Sequence, residues 1–156
     1  MSLGFGKVAP DQWAARAAGG RADKVPVADY FAKVTEVVHF DPSKSEKGLG
    51  TYIVRFSTTE ANAAEWQGKT LEFRGMYHPA PTTDGYTKMN EITENHLIQL
   101  IAAAGVEPQA DAQGAYDIIA TLNLLPTVEA TVVGGISHRQ HEGKEFQDFG
   151  NFRPAS

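Results

Sequence analysis

The hydrophobic positions alternate before they spiral. From Val27 to Phe40, Tyr30, Ala32 and Val34, and farther on Val38 and Phe40, share one parity, with Lys33, Thr35 and His39 on the other. In Thr51–Thr58, Tyr52, Val54 and Phe56 oppose Thr51, Ile53, Arg55 and Ser57, and in Lys69–Tyr77, Leu71 and Phe73 oppose Thr70, Glu72 and Arg74. Period two predicts three half-buried strands. The period then lengthens: Leu97, Leu100, Ile101 and Ala104 follow i, i+3, i+4, i+7, with Asn90 as the expected cap, Glu91 and Glu94 near the start and Gly105 as the stop. A shorter helix is expected over Ala115–Leu122, ahead of Pro126. Thr127–Val133 alternates again. Glu145–Phe152 makes a fifth strand if a bulge at Gly150-Asn151 absorbs the three-residue spacing of Phe146, Phe149 and Phe152. Gly134–Lys144 then reads as a hairpin loop turning at Glu142-Gly143.

Three strands, a helix and two strands predict a mainly β fold with α: a five-stranded OB-like barrel, its helix between strands three and four. The domain is expected over residues 27–154. Residues 1–26, punctuated by Gly19-Gly20 and Pro26, read as a flexible N-terminal arm whose notable side chain is Trp13. Polar, glycine-bearing loops run from Pro42 to Gly50 and from Ala80 to Gly85. The 156 residues suffice for one core, and 42% hydrophobic with 21% charged residues excludes disorder and coiled coil. There is no cysteine, hence no disulfide scaffold and no thiolate chemistry. The first seven residues contain no apolar core of a secretory leader, and no run is long enough to span a membrane, so a cytoplasmic location is expected (the bacterial host's, for a phage-encoded chain).

The net charge of −5 argues against coating duplex DNA by bulk charge. The excess is local: residues 81–135 hold one Lys, Lys88, against seven acidic residues, while the remainder is nearly balanced. If the acidic middle packs away from the working face, that face can be neutral to basic.

Nucleophile elbows, P-loops, zincin helices and dinucleotide fingerprints are absent. His138, His141 and Glu142 fall in a loop without cysteines to complete a common zinc set, and Glu142-Gly143-Lys144 has no acidic partner for a nuclease cation. No enzymatic activity, cofactor or metal is expected. What remains suits single-stranded nucleic acid, which needs cations for phosphates and aromatics for bases. In an OB barrel the groove lies on the second and third strands, flanked by the first and last loops. Those places hold Arg55 and Arg74 on the strands, Lys44 and Lys47 in the first loop, and Arg139 and Lys144 in the last hairpin. Lys33 and Phe31 lie on the first strand, and Tyr77, Tyr86 and Lys88 follow the third. Phe31, Tyr77 and Tyr86 are the expected stacking side chains. Tyr52, Phe56, Phe73 and Phe146 are expected in the core, and Phe149 and Phe152 suit either role.

Residues 27–154 resemble a family of small bacteriophage proteins, long filed as a domain of unknown function, with OB-like folds that bind single-stranded DNA. The likeness rests on Val27-Ala28-Asp29-Tyr30-Phe31-Ala32-Lys33-Val34, the Gly48–Phe56 strand entry, Leu100-Ile101-Ala102-Ala103-Ala104-Gly105-Val106, and Gly143-Lys144-Glu145-Phe146 through Phe152-Arg153-Pro154. It implies sequence-tolerant binding of single-stranded DNA, or RNA, in phage replication or recombination. The implied partners are phage or host replication and recombination proteins, and a homo-oligomer is compatible with it. Many phage single-strand binders recruit partners through an acidic tail; Asn151–Ser156 is not acidic, so tail-mediated recruitment is not expected. The competing expectation is a β-barrel interaction or virion-assembly module that uses the same sheet on protein.

Overall fold

The computed structural model describes residues 22–45 and 47–155, with Lys44 described by its backbone alone. Most of the expected arm, including Trp13, lies outside the described residues. Three strands, β1 (Asp29–Phe40), β2 (Gly50–Thr58) and β3 (Thr70–Tyr77), precede helix α1 (Asp84–Ala104). A small two-stranded turn, β4 (Gln109–Ala110) with β5 (Tyr116–Asp117), leads into helix α2 (Ile118–Leu122). Strands β6 (Thr131–His141) and β7 (Lys144–Pro154) complete one five-stranded antiparallel sheet ordered β3-β2-β1-β6-β7. The end strands β3 and β7 are not hydrogen-bonded to each other, so the sheet is not closed into a barrel. It curls nonetheless. Phe56 of β2 meets Phe149 of β7 with ring centroids 5.0 Å apart, and Phe73 of β3 meets Phe152 at 5.9 Å.

The parity read from the sequence sets the core in β2, β3 and the first half of β1. The irregularity between Val34 and Glu36 then reverses it, so Val37 and His39, opposite Val54 and Tyr52, take the concave side in place of Val38 and Phe40. Tyr30, Ala32, Val34, Val54, Phe56, Leu71 and Val132 are buried on the concave face, where Leu97, Leu100 and Ile101 of α1 and Leu122 of α2 cover them. Among the described residues no helix is long and apolar enough to cross a membrane.

Several boundaries differ from the sequence expectation, among them the shorter helix, which begins at Ile118 rather than Ala115 because Tyr116 and Asp117 pair as β5. Helix α1 starts earlier, with the Thr83 hydroxyl accepting from the Tyr86 N–H at 3.2 Å. Asn90, the expected cap, sits inside the helix instead. Its Oδ1 accepts from the His78 N–H at 2.7 Å and its Nδ2 donates to the His78 carbonyl at 2.8 Å, tying α1 to the end of β3. Gly105 does stop the helix, at φ 70°. The fourth strand begins later than Thr127, because Val128 and Glu129 donate back to Leu124 and Pro126 in a turn where Glu129 takes φ 49°. That strand then runs through Gly134 to His141, so the expected loop is strand. Gly134 permits this: a Cβ there would stand 2.6 Å from the Phe149 ring. Only Glu142-Gly143, at φ 51° and 76°, makes the turn. The bulge near Gly150-Asn151 is present, with a register shift between Val133↔Arg153 and Gly135↔Gly150 and Asn151 at φ 53°. It turns Phe149 and Phe152 to the same buried side.

The sheet's packing also reaches back ahead of Val27, into residues expected to belong to the arm. Val25 is buried in the core. The Asp23 N–H donates to the Thr70 carbonyl at 2.7 Å and its carboxylate accepts from the Thr70 N–H at 2.7 Å, at the start of β3. On the other side, Gln147 of β7 donates to the Asp23 carbonyl at 2.9 Å and accepts from the Val25 N–H at 3.0 Å. The segment thus bridges the two unpaired end strands.

Candidate nucleic-acid interface

Alternation that buries one parity turns the other outward. The register places Lys33 opposite Ser57, Arg55 opposite both Glu36 and Glu72, and Ile53 opposite Arg74. Arg139 lies opposite Phe146, and His141 opposite Lys144. Phe31, Lys33, Arg55, Arg74, Arg139 and Lys144 therefore share the convex face. Six of the eleven expected contacts are brought to one surface.

They are not equally available. Arg55 is only 6% exposed; its Nε donates to Glu72 at 3.0 Å and its Nη1 to Glu36 at 2.5 Å, while its Nη2 is buried without a partner. A guanidinium so enclosed is not offered to a phosphate, and its role is to hold β1, β2 and β3 together. Arg74, itself exposed, reaches the buried Glu72 at 3.3 Å, while Lys33 with Glu129 at 3.9 Å and Arg139 with Asp148 at 2.8 Å are pairs at the surface. Exposed pairs of this kind contribute little and yield readily to a competing phosphate. Lys47, Lys88 and Lys144 are exposed and in no ion pair among the described residues.

Beyond Ile136 the β6–β7 hairpin has no further strand beside it among the described residues and continues as a two-stranded ribbon. There Arg139 lies over the Phe146 ring, 4.8 Å from its centroid. Phe146, expected in the core, is 38% exposed. On the opposite ribbon face, His138 Nε2 lies 2.9 Å from the Val25 carbonyl and holds the docked N-terminal segment.

A second concavity, of about 360 Å³, runs between β3 and α1. Arg74, Lys88 and His96 supply its polar lining, and Met76, Met89 and Ile92 its apolar one. It joins Arg74 to Lys88, which the sequence left in separate segments. Tyr86 is half-buried and tilted against His78 with ring centroids 4.7 Å apart. Tyr77 departs furthest from the expected stacking role. It belongs to the concave side, stacked with Tyr52 at 5.6 Å and with its hydroxyl 2.7 Å from His39 Nε2. Its pKa is raised by burial and by the negative charge of Asp41.

Phe146 and His96 are the side chains that sequence reasoning missed. For Phe146 the signal was present: it differs in parity from Phe149, so a continuous strand must send the two rings to opposite faces. His96 carried no such signal, because its place beside β3 depends on how α1 packs. No protein-family model matches the chain, and no curated protein matches its sequence.

Proposed function

We propose that this protein binds single-stranded DNA with little sequence preference and without catalysis, in phage DNA replication or recombination. The sheet is read as an OB-like barrel left open along one seam. An OB barrel is five-stranded and partly open; here the seam lies between β3 and β7, bridged by Asp23 and by the Phe73–Phe152 contact. The phage context rests on the resemblance of residues 27–154 described above.

The observation that carries the binding role is the Arg139–Phe146 pair on the two-stranded ribbon, on the face that also bears Phe31, Lys33 and Arg74. A guanidinium plane lying on a ring extends an aromatic platform. A base stacks on it while the guanidinium edge takes a phosphate. Lys144 at the ribbon tip and the Arg74–Lys88 concavity give the backbone cationic ends to follow. Arg55 is left out of the contact set, and Tyr77 is replaced by Phe146.

The test is a fluorescence titration with oligo-dT, duplex DNA and RNA at two salt concentrations. Oligo-dT binds at least about tenfold more tightly than duplex, with affinity falling steeply as salt rises. Equal or stronger duplex binding overturns the reading. Absence of nucleic-acid binding leaves the sheet to a protein partner.

A further inference from the structure

The acidic middle of the chain lends Lys88 to the proposed DNA surface, and another part of it is gathered around a second, different cavity. This space of about 420 Å³ lies where α1, the β4–β5 turn and α2 meet the concave end of β2 and β3. Its volume is in the range of small-ligand sites. Tyr52, Tyr77 and Tyr116 bring aromatic rings to it, Leu97, Ile118 and Ile119 an apolar wall, and Glu94, Asp111 and Asp117 carboxylates. Among the described residues no Lys, Arg or His lines it. His39 lies on the Tyr52–Tyr77 stack, its Nε2 engaged with the Tyr77 hydroxyl at 2.7 Å.

Two of the carboxylates, both exposed, are held in place by backbone hydrogen bonds. Asp111 Oδ1 accepts from the Gln113 and Ala115 N–H groups at 2.8 and 3.0 Å, and Asp117 Oδ1 accepts from the Ala120 N–H at 3.0 Å. In each case Oδ2 has no partner among the described residues, and none of the three acids is in an ion pair there. Tyr116 remains 71% exposed, an aromatic left uncovered beside the space.

We propose that this cavity binds a guanidinium group, that of an arginine side chain or of free arginine. Aromatic faces attract a cation through the ring quadrupole, and fixed carboxylate oxygens with free lone pairs give it charge-assisted hydrogen bonds. Guanidinium suits the set better than ammonium, being planar, able to stack on tyrosine and able to bridge two oxygens. A phosphate or nucleotide is repelled by the same acids. The negative field is felt inside: Tyr52 is pushed up to about 12, by burial first, then by Tyr77 and the charge of Asp117. This inference does not rest on the nucleic-acid reading.

The test is a titration of the full chain with N-acetylarginine amide, followed through amide resonances. Saturable binding that moves Thr93, Ile118 and Ile119 is expected, at least about tenfold tighter than for the uncharged isostere N-acetylcitrulline amide. An arginine-containing tetrapeptide in a parallel arm separates a protein side chain (tighter than the amide) from free arginine (no gain). Glu94→Gln together with Asp117→Asn, which keeps a capping oxygen for α2, weakens binding about tenfold at unchanged melting temperature. Tyr116→Ala, at an exposed position, weakens it by a smaller factor. Binding of citrulline equal to that of arginine, or no saturable binding of arginine by the folded protein, overturns the proposal.

Discussion

Arg55 and Arg139 sit on the same face of the same sheet and have almost nothing else in common. Arg55 lies on a strand with neighbours on both sides, 6% exposed and gripped by two carboxylates. Arg139 lies on a ribbon with one neighbour, 57% exposed, held by one carboxylate and resting on a ring. Enclosed, an ion pair carries a large desolvation cost, and losing one partner leaves an uncompensated charge. Exposed, the pair contributes less than about 1 kcal/mol and can be exchanged for another. The difference teaches that an outward-facing arginine is enclosed between two paired strands and available where one side is open, on the ribbon or, as for Arg74, on an end strand of the sheet.

Breaking the enclosed side produces the largest effect. Arg55→Ala leaves Glu72, 7% exposed, with the exposed Arg74 as its remaining cation, and is expected to cost about 3 kcal/mol, lowering the melting temperature by on the order of ten degrees. A loss below about 1 kcal/mol in urea unfolding would erase the contrast. At the joint between sheet and ribbon, Gly134→Ala drives a methyl into the Phe149 ring and costs about 1–3 kcal/mol, read from the same denaturation curves.

A smaller loss lies at high pH. Tyr52 has a folded pKa of about 12 against 10 when unfolded. The native state therefore holds that proton more tightly, and the stability it adds is complete below pH 10 and lost as pH climbs through 12. Unfolding followed from pH 8 to 12 should show the decline, with Tyr52→Phe flattening part of it.

On the ribbon, Arg139→Ala and Phe146→Ala are expected to leave stability within about 0.5 kcal/mol. Their effect is on oligo-dT. Phe146→Ala weakens binding by about 1–3 kcal/mol, and Arg139→Ala removes about 0.7 from the salt slope. An unchanged slope detaches Arg139 from the DNA backbone. Least of all, Glu142→Asn in the left-handed turn position stabilises by up to about 1 kcal/mol, seen as a slightly higher melting temperature.

The core was legible where one face is buried and the other wet. Tyr52, Val54 and Phe56, or Leu97, Leu100 and Ile101, declare their period because water and core impose it. The ribbon was illegible for the same reason: residues 137–148 are wet on almost every side, so no alternation survives and a strand reads as a loop. The first turns of α1 were missed similarly, since Met89 and Ile92 line a surface groove and Tyr86 rests on His78 rather than in the core. At the candidate site, alternation placed Arg74 on the outer face, whereas Arg139 and Lys144 were expected in a loop and reach that face because the loop is strand. The enclosure of Arg55 could not be read, because it requires Glu36 and Glu72 to come alongside through cross-strand register, one of them shifted by the irregularity between Val34 and Glu36.

The seam bridged by Asp23 and Val25 bears on how the chain is made. During synthesis β1, β2 and β3 emerge first and can pair as a meander, but Asp23 and Val25 must wait for Gln147, more than a hundred residues later. Until then one edge of β1 and the Phe56 and Phe73 rings lack their partners from residues 131–154. Such an uncovered edge is open to pairing with another nascent chain. Completion is thus a late, single fastening step, and a ribosome stalled before residue 147 holds a sheet with nothing to latch it.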